Sequence, residues 1–252
     1  LLALSLTAPL AAQEPLRVVQ REQRYVFSQS LEFTLGVESA SPVVEAVLFY
    51  GREGVPLVRR IYPDLTPGLK PTLRHTELLE SGQFAPGTVF RTWWELTLQD
   101  GTVYRTPVET FEYTDANHTW QIVAGDDVLL FYYGKSLSLA QKLLMRAEEA
   151  IARLQEQIGV SLEQPVRIYV YNNSRDMQAS LSTRSETYDS RVVTLGVAVG
   201  EDTLLLLGDH RDVEQTLAHE LSHIVVGLAT DNPYADLPRW LDEGLAMYAE
   251  GK

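Results

Sequence analysis

The hydrophobic and polar positions follow two different patterns along the chain, and the change comes near residue 115. Over residues 16–113, short runs rich in β-branched and aromatic residues are separated by turn signals such as Asp100-Gly101. No stretch of this part keeps a helical period. About seven strands in about 100 residues are typical of an immunoglobulin- or fibronectin-like sandwich. We therefore predict an all-β accessory domain over residues 13–114.

Beyond a short polar segment, 115–119, the pattern favours helices mixed with strands. Apolar residues recur at spacings of three and four from Ala140 to Ile158, which predicts an amphipathic helix over 136–158 that ends at Gly159. The remaining predicted strands are two short ones around Gly125 and those at 166–171, 192–199 and 203–208. The remaining predicted helices are a short one near 174–181 and two that begin near Asp212 and Pro238. The sequence thus predicts two domains, with a linker at 115–119 and an α+β domain over 120–252.

Composition and charge narrow the classes of function. The 252 residues carry 21 Lys+Arg against 34 Asp+Glu, a formal net charge of −13. This acidic balance argues against a nucleic-acid partner or an anionic membrane, because phosphates would be repelled. The chain has no cysteine, which excludes disulfides, thiolate nucleophiles and cysteine-ligated metals. A metal site would have to use His, Asp or Glu.

The first residues have the character of a targeting segment. Residues 1–12, LLALSLTAPLAA, are apolar or small and are followed directly by polar Gln13 and Glu14. This is typical of the remnant of a secretory signal peptide, so we expect export, with secretion or association with the cell surface. The alternative is a buried N-terminal strand or helix. No later stretch is long and apolar enough to predict an integral membrane segment.

The predicted helix after Asp212 contains an HExxH motif, His219-Glu220-Leu221-Ser222-His223. The spacing of four residues puts both imidazoles on one side of a helix, where they can share one metal ion. Glu220 follows the first histidine and can reach a water molecule on that metal, as a general base requires. The alternative is two histidines on a helix surface that bind nothing.

A second helix supplies a carboxylate at a suitable distance. Nineteen residues, 224–242, separate His223 from Glu243, and a loop of that length allows an antiparallel helix to bring Glu243 to the open side of the histidine pair. Two histidines, one glutamate and a water molecule make an open, catalytic type of zinc site. We therefore predict one Zn²⁺ per chain, held by His219, His223 and Glu243.

These residues resemble those of the gluzincin metallopeptidases, with the pattern HExxH-x19-E and the segment WLDEGLA at 240–246. The exported bacterial peptidase MA-like group is the most similar in arrangement. The resemblance implies a thermolysin-like module with a small sheet, an active-site helix and a glutamate helix. It also implies zinc ligation by His219, His223 and Glu243. A zinc-activated water molecule, with Glu220 as its general base, would hydrolyse peptide bonds of a peptide or protein substrate.

Two further residues are weaker candidates. Thermolysin-like enzymes place a tyrosine between the second histidine and the glutamate, and Tyr234 is the tyrosine in that interval, so it is a candidate for oxyanion stabilisation. The alternative is a loop residue that packs on the helix pair. Asp242 is a candidate partner for a ligand histidine, or else a solvated acid in the first helical turn. Resembled enzymes have a C-terminal helical lobe, so we expect either a truncated sequence or a local oxyanion group.

Two functions from different classes agree with these patterns. The favoured one is a secreted zinc metallopeptidase with an accessory β-domain whose partner the sequence does not identify. The alternative is a non-catalytic binding or adhesion protein with a structural or vestigial zinc site. For the peptidase, an extended substrate would pair with a strand upstream of the zinc helix. The runs 192–199 and 203–208 compete for this role, and we favour 203–208 because it leads directly to Asp212.

Overall fold

The structure, a computed structural model, describes residues 16–134, 136–178, 180–181, 196–199, 202–230 and 237–249. The predicted signal-peptide remnant, 1–12, lies outside the described residues. The chain divides into two compact units. Within the described residues, the first unit comprises 16–24, Leu31–Glu77 and Phe90–Phe111, and the second comprises Tyr25–Ser30, Leu78–Val89 and the chain from Glu112 onward.

Strands and turns make up the chain from residue 16 to residue 113. The eight strands are β1 (Leu16–Val26), β2 (Ser30–Ser39), β3 (Val43–Arg52), β4 (Arg59–Ile61), β5 (Thr72–Leu78), β6 (Thr88–Leu98), β7 (Val103–Arg105) and β8 (Glu109–Tyr113). One sheet has the order β1-β2-β5, and the other has the order β4-β3-β6-β7 with β8 also paired to β6. The pairs β3–β4, β3–β6 and β6–β7 are antiparallel.

The burial pattern of these strands explains why the sheets form. Trp94 and Leu96 of β6 are buried, whereas Glu95 between them is partly exposed, as the alternation of side chains along a strand requires. The Phe33 ring of β2 lies 5.0 Å from the Tyr50 ring of β3, so side chains of the two sheets meet in one core. The β-rich character agrees with the sequence prediction, and an immunoglobulin- or fibronectin-like arrangement of this part stays a prediction.

Beyond residue 113, the part of the chain that the structure describes combines one sheet with helices. Its elements are β9 (Gln121–Ala124), β10 (Val128–Tyr132), α1 (Leu137–Ile158), β11 (Val166–Tyr171), α2 (Ser174–Gln178), β12 (Gly196–Val199), β13 (Thr203–Leu207), α3 (Val213–Thr230) and α4 (Arg239–Ala249). The strand order is β12-β13-β11-β10-β9. The inner pairs β10–β11 and β11–β13 are parallel, and β9 and β12 pair antiparallel with their neighbours.

The first helix, α1, begins and ends where its local sequence predicts. The Ser136 side chain accepts a hydrogen bond from the Leu139 amide and caps the first turn. Gly159 has a φ of 76°, a left-handed conformation that favours glycine and ends the helix. The predicted helix over 136–158 is therefore confirmed. No helix among the described residues is long and apolar enough to cross a membrane.

Both faces of the central sheet are covered, and β13 shows this most clearly. Leu204 and Leu206 belong to the core cluster that α1 and α3 share with the sheet, and Leu205 and Leu207 belong to a cluster with Tyr169 and Tyr171. Alternate side chains of a strand point to opposite faces, so four consecutive leucines are buried on both sides. Because β13 lies between β12 and β11, it has no open edge. Our preference for 203–208 as the substrate-binding strand is therefore wrong.

The predicted linker, 115–119, starts with a residue that is held inside the second unit. Asp115 is 1% exposed, and its Oδ2 accepts a hydrogen bond of 3.0 Å from the Tyr171 hydroxyl of β11. The Trp120 indole donates to the Asp115 carbonyl oxygen at 2.8 Å. Burial raises the pKa of Tyr171, so this hydroxyl keeps its proton and remains a donor. The predicted domain limits at 114 and 120 stay predictions.

Candidate metal centre

The α3 helix places the HExxH residues at the border between core and solvent. Its apolar side chains occupy one face of the helix and are buried: Leu217, Leu221, Ile224 and Val225. His219, Glu220 and His223 lie beside this face and are each partly exposed. Burial of the apolar face thus fixes the rotation of the helix and leaves both imidazoles reachable from solvent.

Ion pairs with α1 hold the beginning of α3. Glu214, in the first turn, contacts Lys142, and its Oε2 lies 3.2 Å from Nε of Arg146. The hydrogen bond from Lys142, with Arg146 adding to it, lowers the pKa of Glu214. The side chains of Lys142, Arg146 and Glu214 are 52%, 46% and 35% exposed, so we expect these pairs to contribute little to stability.

The two histidines of α3 present their Nε2 atoms to each other. His219 Nε2 and His223 Nε2 are 3.3 Å apart, and the rings are inclined at 76°. Two nitrogens that each lie about 2.05 Å from one tetrahedral zinc ion are about 3.3 Å apart. The separation therefore suits two ligands of one zinc ion.

Glu243 of α4 joins this pair. Its Oε2 lies 3.7 Å from His219 Nε2, and the ligand atoms of His219, His223 and Glu243 all lie within 4.8 Å of one another. Ala246, one turn further along α4, is 0% exposed, so this side of the helix is buried. Two side chains one turn apart in α3 and a third from α4 thus converge on one point, as the sequence analysis expected.

Asp242, beside Glu243, contacts the opposite side of the second histidine. Its Oδ2 lies 3.0 Å from His223 Nδ1. An Nδ1–H donated to this carboxylate leaves the lone pair on Nε2, the atom that faces His219. The geometry thus supports the partner role considered for Asp242, in place of a fully solvated acid.

The donor set fits zinc. Two imidazole nitrogens and one carboxylate oxygen are ordinary zinc ligands, and three protein ligands leave an open position of the catalytic type. The carboxylate of Asp242 behind a ligand ring is also common in zinc sites. Within the described residues, His219, His223 and Glu243 are the three side chains whose ligand atoms lie close enough together to hold one metal ion.

The environment of Glu220 includes a strand that the sequence analysis did not connect with it. Gly196 opens β12, and a β-carbon built on it would lie 2.9 Å from Glu220 Cγ. Strand β12, which is at the end of the sheet order among the described residues, therefore packs directly against the helix face that carries Glu220. No local sequence pattern in Gly196–Val199 signals this contact, because it depends on the order of strands in the sheet. Tyr234, the oxyanion candidate, lies outside the described residues.

Comparison with known families agrees with this geometry. Residues 146–252 match the model of the Peptidase MA superfamily. The matched segment contains α3, α4 and all four residues of the HExxH and glutamate pattern. The match supports a gluzincin-type, metallopeptidase-like character for this part of the chain, and it does not single out the thermolysin-like enzymes.

Solved structures give weaker likenesses, and no curated protein matches the chain significantly. OgpA from Akkermansia muciniphila is 11% identical over 41% of this chain and 30% of its own, with a TM-score of 0.33. A family 56 carbohydrate-binding module that binds β-1,3-glucan is 14% identical over 37% of this chain and 96% of its own, with a TM-score of 0.25. The purple acid phosphatase PPD1 from yellow lupin is 11% identical over 61% and 29%, with a TM-score of 0.30. At TM-scores this low, the similarities support no inference about the fold or function of this chain.

Proposed function

We propose that the chain is an exported zinc metallopeptidase that hydrolyses peptide bonds of peptide or protein substrates. The observation that carries this proposal is the convergence of His219, His223 and Glu243, whose ligand atoms lie within 4.8 Å of one another. These three residues would hold one Zn²⁺ per chain. The Peptidase MA match over 146–252 supports the same class of reaction.

The chain's own residues have distinct tasks in this reaction. When bound, zinc lowers the pKa of a water molecule to about 7 and polarises the substrate carbonyl. Glu220 accepts the proton of the attacking water and delivers it to the leaving amine. Asp242, 3.0 Å from His223 Nδ1, keeps that ring in the tautomer whose Nε2 is a ligand. Tyr234 stays a proposal for the oxyanion.

The edge strand β12 is the proposed platform for the substrate. Among the described residues, β12 pairs only with β13, so its other edge can accept a further strand. Pairing through backbone hydrogen bonds binds an extended peptide without requiring particular side chains. The first residue of β12 packs beside Glu220, which puts the platform next to the proposed general base.

Export and the accessory domain complete the proposal. Residues 1–12 have the apolar and small composition of a signal-peptide remnant, which supports secretion or association with the cell surface. The sheets of the first unit support an accessory β-sandwich of immunoglobulin or fibronectin type. The net charge of −13 supports a partner other than nucleic acid.

The test compares the wild-type chain, Glu220→Gln and His223→Ala for zinc content and for cleavage of a labelled general protein substrate, with and without chelator. We expect one zinc per chain and chelator-sensitive cleavage for the wild type. Glu220→Gln should keep zinc and lose at least about 10²-fold in rate, because an amide cannot accept the proton. His223→Ala should lose zinc.

Three outcomes would contradict the proposal. Full zinc occupancy of His223→Ala would show that the ligand set is wrong. Turnover of Glu220→Gln near that of the wild type would show that Glu220 is not the base. Zinc binding by a wild-type chain that cleaves nothing would favour the alternative, a binding or adhesion protein with a structural or vestigial zinc site.

A further inference from the structure

The first residue of β12 fits against α3 only because it is a glycine. A β-carbon on Gly196 would lie 2.8 Å from Thr216 Cγ2 and 2.9 Å from Glu220 Cγ. Real β-carbons essentially never come within 3.0 Å of another heavy atom in this way, so a neighbour would have to move. Gly196 has no left-handed φ, so an alanine is allowed by the backbone and its effect would come from packing alone.

Both contacts would have to lengthen, and Glu220 is the neighbour with more freedom to move. Thr216 and Glu220 are one turn apart on the same side of α3. The Thr216 methyl is attached to a β-branched carbon, which is stiff at χ1, whereas Glu220 Cγ is attached to an unbranched β-carbon and turns about χ1 more freely. Ordinary van der Waals contact begins at 3.4 Å, so Glu220 Cγ could not stay 2.9 Å from a new β-carbon and would have to withdraw. The carboxylate beyond it would move with it.

We propose that Gly196 is a positioning residue for Glu220, in that the missing side chain lets β12 support Glu220 in the place its proton transfer requires. This inference rests on the proposed peptidase function. A displacement of about 1 Å at a reacting group costs on the order of 10²-fold in rate. We therefore expect Gly196→Ala to lower kcat by about 10- to 100-fold while the chain keeps one zinc ion.

The chain offers a matched control and a rescue. Gly227 also lies in α3, and a β-carbon there would meet no atom within 4 Å, so Gly227→Ala should cleave like the wild type. Thr216→Ser removes only the Cγ2 methyl that blocks one side of the new β-carbon. Gly196→Ala combined with Thr216→Ser should therefore recover part of the lost kcat, which also covers the case in which Gly196→Ala alone folds poorly.

A double-mutant cycle separates positioning of Glu220 from damage to the substrate platform. If Gly196 acts through Glu220, the variant that combines Gly196→Ala with Glu220→Gln should be no slower than Glu220→Gln alone. A further loss of rate in the combined variant would overturn the proposal, because β12 would then act independently of Glu220. Equal kcat for Gly196→Ala and Gly227→Ala would also overturn it.

A structural measurement tests the contact without relying on activity. Crystal structures of the wild type and Gly196→Ala should show Glu220 Cγ and its carboxylate displaced away from residue 196, far enough to restore an ordinary contact with the new β-carbon. An unmoved carboxylate would overturn the inference. If the wild-type chain showed no Glu220-dependent cleavage, the proposed function would fail, and the crystallographic comparison would still decide whether Gly196 sets the position of Glu220.

Discussion

We expect the contact between Asp242 and His223 to contribute measurably to the affinity of the chain for zinc. Asp242 Oδ2 lies 3.0 Å from His223 Nδ1, and Nε2 of the same ring lies 3.3 Å from His219 Nε2. Asp242→Ala removes the acceptor that selects the ring's tautomer and restrains its rotation. Zinc must then select one tautomer and one rotamer from several, so we expect weaker binding.

The size of the effect follows from the kind of contact and its exposure. Loss of such a carboxylate partner costs about 10- to 100-fold in metal affinity, which is about 1.4 to 2.7 kcal/mol. The side chains of His223 and Asp242 are 20% and 35% exposed, so solvent replaces part of the interaction and we expect the lower end of this range. Asp242→Asn keeps an acceptor oxygen but loses the charge, so its loss should be smaller.

Competition between the full chain and a zinc chelator measures these affinities. Glu214→Gln is the matched control, because it changes the net charge by the same amount on α3 while Glu214 contacts Lys142 and Arg146. Its zinc affinity should equal that of the wild type. If Asp242→Ala bound zinc as tightly as Glu214→Gln, the partner role of Asp242 would be refuted.

Features that depend on nearby residues were predictable from the sequence. The helix α1 follows from a period of three and four, a serine that caps it and Gly159 that ends it, all of which lie in the helix or directly beside it. The histidine pair follows from a spacing of four on one helix. These signals are local, so packing between distant parts of the chain has little influence on the elements that they predict.

Features that depend on packing between distant elements were harder to predict. The place of Glu243 beside His219 needs α4 to pack near α3 after nineteen intervening residues, and a loop of that length allows this packing without requiring it. The four leucines of β13 gave a correct signal for a strand buried on both faces, but the short connection to Asp212 outweighed it. Which strand lies at the edge is decided by hydrogen bonding between strands, and no local pattern encodes it.

The contact of Gly196 with Glu220 shows most clearly which features cannot be predicted from the sequence. A glycine inside an apolar run such as 192–199 weakens a strand and often signals a bulge or a close approach of another element, but it does not show which element approaches. Here it marks a close approach between β12 and α3, two elements that are separated along the chain by the whole of β13. Only the three-dimensional structure shows that the neighbouring atom belongs to Glu220, the proposed general base.

Two predictions concern the stability of the second unit, both read from thermal melts. Leu143→Ala should cost about 2–5 kcal/mol because Leu143 is 0% exposed, whereas Leu137→Ala, at a position that is 51% exposed, should change stability by less than about 0.5 kcal/mol. Burial raises the pKa of Glu148 above 4.5. The hydrogen bond from the Asp127 amide opposes part of this rise, and the charge of the Asp127 side chain adds to it. The folded chain thus holds this proton more tightly than the unfolded chain, so the stability that Glu148 contributes is present at acid pH and is lost as pH rises through the raised pKa. Glu148→Gln does not titrate, so its Tm should rise relative to the wild type between about pH 4 and pH 7. A difference in Tm that stayed constant over this range would show that Glu148 has the same pKa in the folded and unfolded chain.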